Sequence, residues 1–461
     1  MVRLKVHRPS GFRGFLVVWV GQVLSMVGSA MTAFALSIWA YQKTGLATSL
    51  ALVDFFFVGT TMAMTPLAGV WVDRWNRKLT MVLSDLLSVT ATAVALVLYL
   101  TGHLQIWHLY VASALQGIGG AFQWPAYSAA ITQMMPKEHY ARAGGLMSLA
   151  DSGSLIVAPV LAGVLMPVIH VPGIMTIDIV TFGIAVLALM VVTIPNNVPG
   201  TVAQEPLWRE MTFGFRYIRE RTPLLQLVTI FAASNFLFSL SQPLVAPMVL
   251  ARTGQDAAAL ATVQSAAGIG GALGGLLMGA WGGPRDKVRG ILLGDPSGFM
   301  ALGLCIFFGR SPLVWAAGFL LSGCLGTMVY GLSQSIWQSK VPPQYQGRVF
   351  SARRMIAFAI MPLAMLVAGP LADRVFEPAM RSGGTLSAVF GAVTGTGPGA
   401  GMAVMYLLST VGASLVTLAG FARPQLRNLD RLLPDHGAGS ATADGADHGQ
   451  EGSDDAQTVS L

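Results

Sequence analysis

The sequence is poor in charge. Asp, Glu, Lys and Arg make up 11% of its 461 residues, against about 25% in an ordinary soluble domain. A soluble chain of this length would form about three domains, each needing a polar surface. Its 28 basic and 21 acidic residues are too few to cover them. Cysteine is nearly absent. Cys305 and Cys324 both sit in apolar runs, which excludes a disulfide framework and reads as small core residues. The seven His are scattered (His7, His103, His108, His139, His170, His436 and His448). No HExxH, CxxC or GxSxG pattern gives them a constellation, so no metal, no cofactor and no enzyme active site is expected. No GxxxxGK[ST] phosphate loop occurs, and the polar loops are too short for an ATPase domain. ATP-driven transport by this chain alone is thereby excluded. The 53 Gly follow no three-residue period and AVILMFWYC residues reach 54%, which removes the collagen-like and disordered classes.

What the chain does have is long apolar runs. A helix needs about 20 mostly apolar residues to cross a bilayer. Twelve such runs occur: 15–41, 50–72, 79–101, 105–135, 144–169, 173–194, 224–250, 256–283, 289–309, 312–339, 350–372 and 401–421. None alternates polar and apolar residues over its length, so helices rather than a barrel are predicted. The expected fold class is an all-α membrane protein with twelve transmembrane helices. Threading the chain through twelve crossings puts every Lys and Arg except Lys43, Arg252, Arg310, Arg374 and Arg381 on the side that holds both termini. The positive-inside rule makes that side the cytoplasm and the membrane a cell (inner) membrane. The net charge of +7 therefore reflects topology and contact with anionic lipid, and nucleic acid is not an expected partner.

The chain also repeats itself. Gly69, Trp71, Leu83 and Asp85 recur as Gly279, Trp281, Leu293 and Asp295, and Gln133, Pro136 and Arg142 are echoed by Gln338, Pro342 and Arg348. The order and topology match, which predicts a duplicated six-span unit. The expected organisation is a cytoplasmic N-terminus (1–14), a six-helix bundle (15–194), a cytoplasmic linker (195–222), a second six-helix bundle (223–421) and a largely disordered cytoplasmic tail (422–461). Within the linker Trp208, Met211, Phe215 and Ile218 recur at helical spacing, with Arg209, Arg216 and Arg219 between them, predicting an interfacial amphipathic helix. From about Pro434 the composition turns to Gly, Ala, Ser and Asp without apolar period.

The most specific local pattern follows the second span: Gly69-Val-Trp71-Val-Asp73-Arg74-Trp75-Asn76-Arg77-Lys78. Gly69 permits close helix approach. Asp73 ends the span, where it can pair with the basic cluster or face the N-terminus of another helix. Such a cluster can latch the cytoplasmic ends of two halves in one state and release them in the other. Gly69, Asp73, Arg74, Arg77 and Lys78 are therefore the candidate gate.

This segment resembles the loop signature of the major facilitator superfamily, Gly-x3-Asp-Arg-x-Gly-Arg-Arg/Lys, with Asn76 in place of the second Gly. Gly21-Gln22-x-x-Ser25-x-x-Gly28-Ser29, Gln116-Gly117-x-Gly119-Gly120, Ala158-Pro159-x-x-Ala162-Gly163 and Gly369-Pro370-Leu-Ala-Asp373-Arg374 resemble its macrolide-efflux and enterobactin-exporter branch. The resemblance runs from about residue 12 to 422. It implies the major facilitator fold, two pseudo-symmetric six-helix bundles with spans 1, 4, 7 and 10 lining a cavity and spans 2, 5, 8 and 11 forming the rocking interface. The chain departs from the pattern at Ser113, where related antiporters carry an Arg implicated in proton coupling, and at Ser154 and Ala158, where Gly is usual.

Ionisable groups inside spans are suspects for function. Asp85 and Asp295 lie in spans 3 and 9 at matching depths, and Asp178 in span 6; all three read as structural charge partners. Asp54 and Asp151 fall in spans 2 and 5, which the resemblance places at the moving interface, and are the proton-coupling candidates. A carboxylate satisfied at a helix contact stays open as the plain alternative for each. Polar and aromatic residues on the cavity spans, namely Gln22, Ser25, Gln116, Trp124, Tyr127, Asn235, Gln242, Tyr330 and Gln334, are the substrate-cavity candidates; aromatics with a few amides suit a large amphipathic ligand. The expectation is a proton-coupled secondary transporter, not an enzyme, working as a monomer by alternating access. It would export a hydrophobic or amphipathic small molecule such as a drug, macrolide, siderophore or peptide product, with protons and membrane lipids as its other partners. Uptake of a nutrient or flipping of a lipid by the same fold is the alternative.

Overall fold

The structure is a computed structural model and describes residues 11–134, 139–193 and 207–435. The expected N-terminal segment up to residue 10, the first part of the linker and the tail beyond Asp435 lie outside the described residues.

The chain is helical throughout the described part. Four helices open it: α1 (Gly11–Thr44), α2 (Ala47–Arg74), α3 (Arg77–Leu100) and α4 (Ile106–Met134). Two predicted spans then run together as α5 (Tyr140–Val191), bent at His170, whose φ of 55° and ψ of −175° are non-helical. Pro167 and Pro172 flank the bend; neither has an N–H to give to a continuous helix. The chain thus turns back almost within a single residue, and two spans pack side by side without a loop.

The linker helix is α6 (Leu207–Glu220), inside the predicted 195–222. The seventh span is not one helix. It comprises α7 (Thr222–Ser239), a 3₁₀ turn at Gln242–Leu244 and α8 (Val245–Arg252), broken where Pro243 removes a backbone donor. Three intact spans follow: α9 (Ala257–Trp281), α10 (Lys287–Phe308) and α11 (Pro312–Lys340). The predicted 350–372 span is likewise divided, into α12 (Pro343–Phe358) and α13 (Met361–Leu371), with Pro362 at the start of α13. It winds on as a π-helical turn through Ala372–Phe376 into α14 (Glu377–Met380). A short α15 (Ser387–Thr394) precedes the last span, α16 (Ala400–Leu418).

Ten stretches of the described residues are long and apolar enough to cross a membrane. One of them, Arg142–Val191, contains both limbs of α5, and the more polar α4 completes twelve spans in two six-helix halves. Local chemistry sets several boundaries. Asp256 accepts from Ala258 N (2.8 Å) and Ala259 N at the start of α9, and Asp286 accepts from Arg289 N (2.9 Å) at the start of α10. Asn76, the departure from the family signature, accepts from Leu79 N (3.1 Å) and so caps α3. Within the second half, Gly270 and Gly274 bring α9 against the backbone of α11 at Leu320 and Cys324, where a side chain would collide with the carbonyls.

Buried apolar residues gather in three main clusters. One mixes both halves, with Met31, Ile38 and Leu50 beside Met248, Leu260, Trp315 and Tyr406. It lies at the end of the molecule away from the termini. The other two sit at the termini-bearing end and each belongs to one half: Phe15, Val18, Met81 and Leu189 in the first, Ile218, Leu227, Ile291 and Trp337 in the second. The two halves therefore share a core at the far end and keep separate cores at the near end.

Ahead of the stretch from about Pro434 where disorder is expected, the C-terminal segment is folded. After α16, residues through Asp435 fold as short turns in which Leu426 and Leu429 are fully buried beside Ile218 and Leu224. Two apolar residues three apart suffice to dock it, a signal too short for periodicity to reveal. Asp435 then pairs with the buried Lys340 ammonium at 2.8 Å.

Candidate functional site

Between the halves lies a cavity of about 590 Å³, within the range of about 300–1,000 Å³ typical of small-molecule sites. Spans 1, 2, 4 and 5 of the first half wall one side, and the 242–246 turn, α9, α11 and α13 the other. Its lining is mostly apolar, with Phe34, Val58, Leu155, Phe319 and Met365, and holds the amides Gln116, Gln242 and Gln264. Asp54 is the one charged residue among those lining it, and its side chain is exposed to the cavity space. It projects from α2, the helix that packs against α13 of the opposite half. A second, smaller cavity of about 170 Å³ lies within the first half, lined by α1, α4 and α5, and contains Gln22, Trp124, Tyr127 and Asp151.

The candidate residues thus separate. Gln116 and Gln242 line the large cavity and Gln22, Trp124 and Tyr127 the small one; the proton-coupling candidates Asp54 and Asp151 stand one in each. Ser25, Asn235, Tyr330 and Gln334 line neither. Ser25 is buried within the bundle, Asn235 donates to Ala357 O (3.4 Å), and Tyr330 lies on the exposed face of α11. The Gln334 side chain accepts from the Arg353 guanidinium at 3.0 Å. Phe319 of α11 lines the cavity, and Tyr330 and Gln334 lie about three and four turns further along that side of the helix, so depth in the span separates them from it.

The remaining membrane acids are held by uncharged donors. Asp85 accepts from Gln22 Nε2 and Gln123 Nε2, both at 3.1 Å, and Gln123 also donates to Gln22 Oε1 at 2.9 Å. Asp178, fully buried, accepts from Ser29 (3.0 Å) and Thr92 (3.2 Å), joining α1, α3 and α5. Asp295 accepts from Thr417 at 3.3 Å, tying α10 to α16. Of the candidate gate, Arg77 is buried at the start of α3, and Lys78 Nζ donates to Met190 O (3.2 Å) and Val192 O (2.8 Å), the C-terminal carbonyls of α5. The side chains of Gly69, Asp73 and Arg74 lie outside the described residues.

Two features join the halves at the far end. Gly163 and Gly268 let α5 and α9 meet closely, and Ser265 Oγ donates to Ile156 O at 3.1 Å. More specifically, Asp373 accepts from Ala47 N (3.0 Å), Thr48 N (2.8 Å) and Thr48 Oγ1 (2.6 Å). A carboxylate of the second half thereby caps the N-terminus of α2 in the first, where the helix dipole favours negative charge. Gly369 admits Thr48 into contact one turn before it. Neither Asp373 nor Gln123 stood among the sequence candidates. For Asp373 the signal was present: Gly369-x3-Asp373-Arg374 repeats the spacing of Gly69-x3-Asp73-Arg74.

The sequence pattern of the Major Facilitator Superfamily matches residues 18–363. The chain belongs to that superfamily. Among characterised superfamily members it is similar to Macrolide efflux protein A of Streptococcus pyogenes, 27% identical over 369 residues that cover 78% of this chain and 90% of the relative. It is also similar to the multidrug efflux pump Tap of Mycolicibacterium fortuitum, 24% identical over 371 residues, covering 78% and 89%. In fold it resembles a bacterial homologue of the iron transporter ferroportin in an inward-facing state (TM-score 0.65, 15% identity, 89% of this chain and 99% of that one). It also resembles a bacterial homologue of the lysosomal transporter Spinster, inward-facing and unoccupied (TM-score 0.64, 14% identity, 92% and 98%). The superfamily fold accounts for the helix count, the duplication and the inter-half cavity together; the protein is a multi-pass membrane transporter.

Proposed function

We propose that this transporter exports a hydrophobic or amphipathic compound from the cytoplasm in exchange for protons, by alternating access. The observation that carries the reading is Asp54: a single carboxylate in a largely apolar cavity, on a helix that packs against the opposite half along the seam. A carboxyl so placed can take a proton from one side and release it where water reaches it after the halves tilt. Apolar walls with sparse amides suit a ligand bound through area and a few hydrogen bonds. The efflux functions named for the relatives in S. pyogenes and M. fortuitum favour export over uptake or lipid flipping.

In this reading the termini-bearing end faces the cytoplasm, and the separate near-end cores correspond to an inward-open state. Asp373, docked on the N-terminus of α2, is the closed outer latch. The matching Gly-x3-Asp-Arg at the other end of α2 is the inner one. When the inner end closes, Asp73 would face the N-terminus of α12 across the seam, as Asp373 faces that of α2, with Arg74, Arg77 and Lys78 completing the clasp.

The test is flux. Reconstituted protein loaded with an acidic lumen should accumulate a lipophilic dye, and Asp54→Asn should retain dye binding while losing the response to the pH gradient. Gradient-driven flux that persists in Asp54→Asn removes that residue from coupling; accumulation in whole cells that falls on deletion of the gene would show uptake.

A further inference from the structure

We propose that the smaller cavity is a distinct docking chamber for the cationic head of an amphipathic substrate, occupied before the ligand reaches the central cavity. This deepens the export reading and names its substrate class. The chamber lies wholly inside the first half, toward the termini-bearing end, between α1, α4 and α5. Its volume of about 170 Å³ is below the range of about 300–1,000 Å³ that holds a drug-sized molecule. It therefore takes a head group, leaving the apolar body of the ligand outside.

The chemistry of the walls selects the sign of that head group. Asp151 is the only charged residue among those lining the chamber, and its side chain is exposed to the space. The amide nitrogen of Gln123, on the chamber wall, is committed to Asp85 and to Gln22, so it offers no donor to an anion. Trp19 spends its ring N–H on Leu146 O (2.9 Å), so it offers only its π-face, and Trp124 is about half exposed. Aromatic faces beside a carboxylate attract a cation and repel an anion. Carboxylate and rings together describe a box for a protonated amine or quaternary ammonium with an aryl or alkyl body. The two isolated acids thereby divide the work: Asp54 couples protons in the central cavity, and Asp151 reads the charge of the cargo.

The experiment uses the full chain purified in detergent, an arylalkyl-trimethylammonium probe and its uncharged tert-butyl isostere. Calorimetry should show that Asp151→Asn weakens binding of the cation at least about tenfold, as for loss of a charged contact. The isostere should be unaffected, and Asp151→Glu should restore most of the cation affinity. In a background with Cys305→Ala and Cys324→Ala, the cation should protect Met147→Cys, which lines the chamber, from maleimide, and should fail to do so once Asp151→Asn is added. Unchanged cation affinity in Asp151→Asn, or labelling of Met147→Cys indifferent to the cation, overturns the proposal. Binding in detergent needs neither gradient nor direction. Loss of flux with charge-selective binding intact would count against the export reading alone, and loss of charge selectivity with export intact against this chamber alone.

Discussion

Removing Asp373 should tip the conformational balance of the whole transporter. Its carboxylate accepts three hydrogen bonds from Ala47 and Thr48 across the seam. In the state with the far end open, those two amides would be the free donors of a helix N-terminus, satisfied by water. Replacing a helix-capping Asp by Ala costs about 0.5–2 kcal/mol, and a hydrogen bond to a charged group is worth about 1.5–3. The three bonds share one carboxylate and are not additive, and the site is half-buried. The net bias is therefore about 1–3 kcal/mol, a shift of about 5- to 150-fold in the ratio of the two states. Asp373→Ala should move the population toward the far-end-open state by that factor. Asp373→Asn, which still offers an oxygen to the cap, should move it less. Spin labels at Lys43→Cys and Arg374→Cys, both exposed beside the latch, would report the change as a longer distance component in pulsed electron resonance. Asp73→Ala should shift the same ratio the opposite way. A distance distribution identical in Asp373→Ala and the parent would refute the assignment of Asp373 as a latch, however good its hydrogen bonds.

Asp178→Ala should lower stability by about 1–3 kcal/mol, because Ser29 and Thr92 lose their buried acceptor; the melting temperature in detergent reads it, and an unchanged value would contradict the inference. Gly270→Leu should prevent the contact of α9 with α11, costing about 1–3 kcal/mol or more by overpacking, visible as aggregation on size exclusion; a monodisperse variant of unaltered melting temperature would show that the helices can part. The Lys340 ammonium, by hydrogen bond and charge, holds the Asp435 carboxyl below its ordinary value. The contribution of this pair is thus complete at neutral pH, and it is lost as acidification passes the ordinary value of about 3.9 and then the lower folded one. Asp435→Asn should hasten tryptic cleavage after Arg431 at pH 7.5, and at pH 2 the acid-active protease pepsin should cut this segment equally fast in both forms.

Much of this molecule could be read from residue types and spacing because lipid imposes simple rules. A run of about 20 apolar residues has few fates, so α1, α3 and α9 lie where 15–41, 79–101 and 256–283 predicted them. The breaks in the seventh and eleventh spans were harder, since Pro243 and Pro362 each permit a kink or an intact helix and packing decides. The site was legible by span and illegible by depth. Gln116 and Gln242 reach the cavity while Tyr330 and Gln334, about three and four turns along α11 from the lining Phe319, do not, because the depth of the cavity depends on packing between helices distant in sequence. Asp85 and Asp178 were expected to answer cations; their observed donors are amides and hydroxyls of neighbouring spans, which no one-dimensional spacing links to them.

The bend at His170 has an outcome for whatever meets the transporter from the far side. There the described residues of the first half offer the 45–46 turn, the 101–105 turn and the bend itself, whereas the second half displays everything from Asp373 to Gly399. The visible face is lopsided. An antibody, a phage or an inserted epitope tag would find its purchase on the hairpin around α15, and the half that carries both isolated acids would stay out of sight.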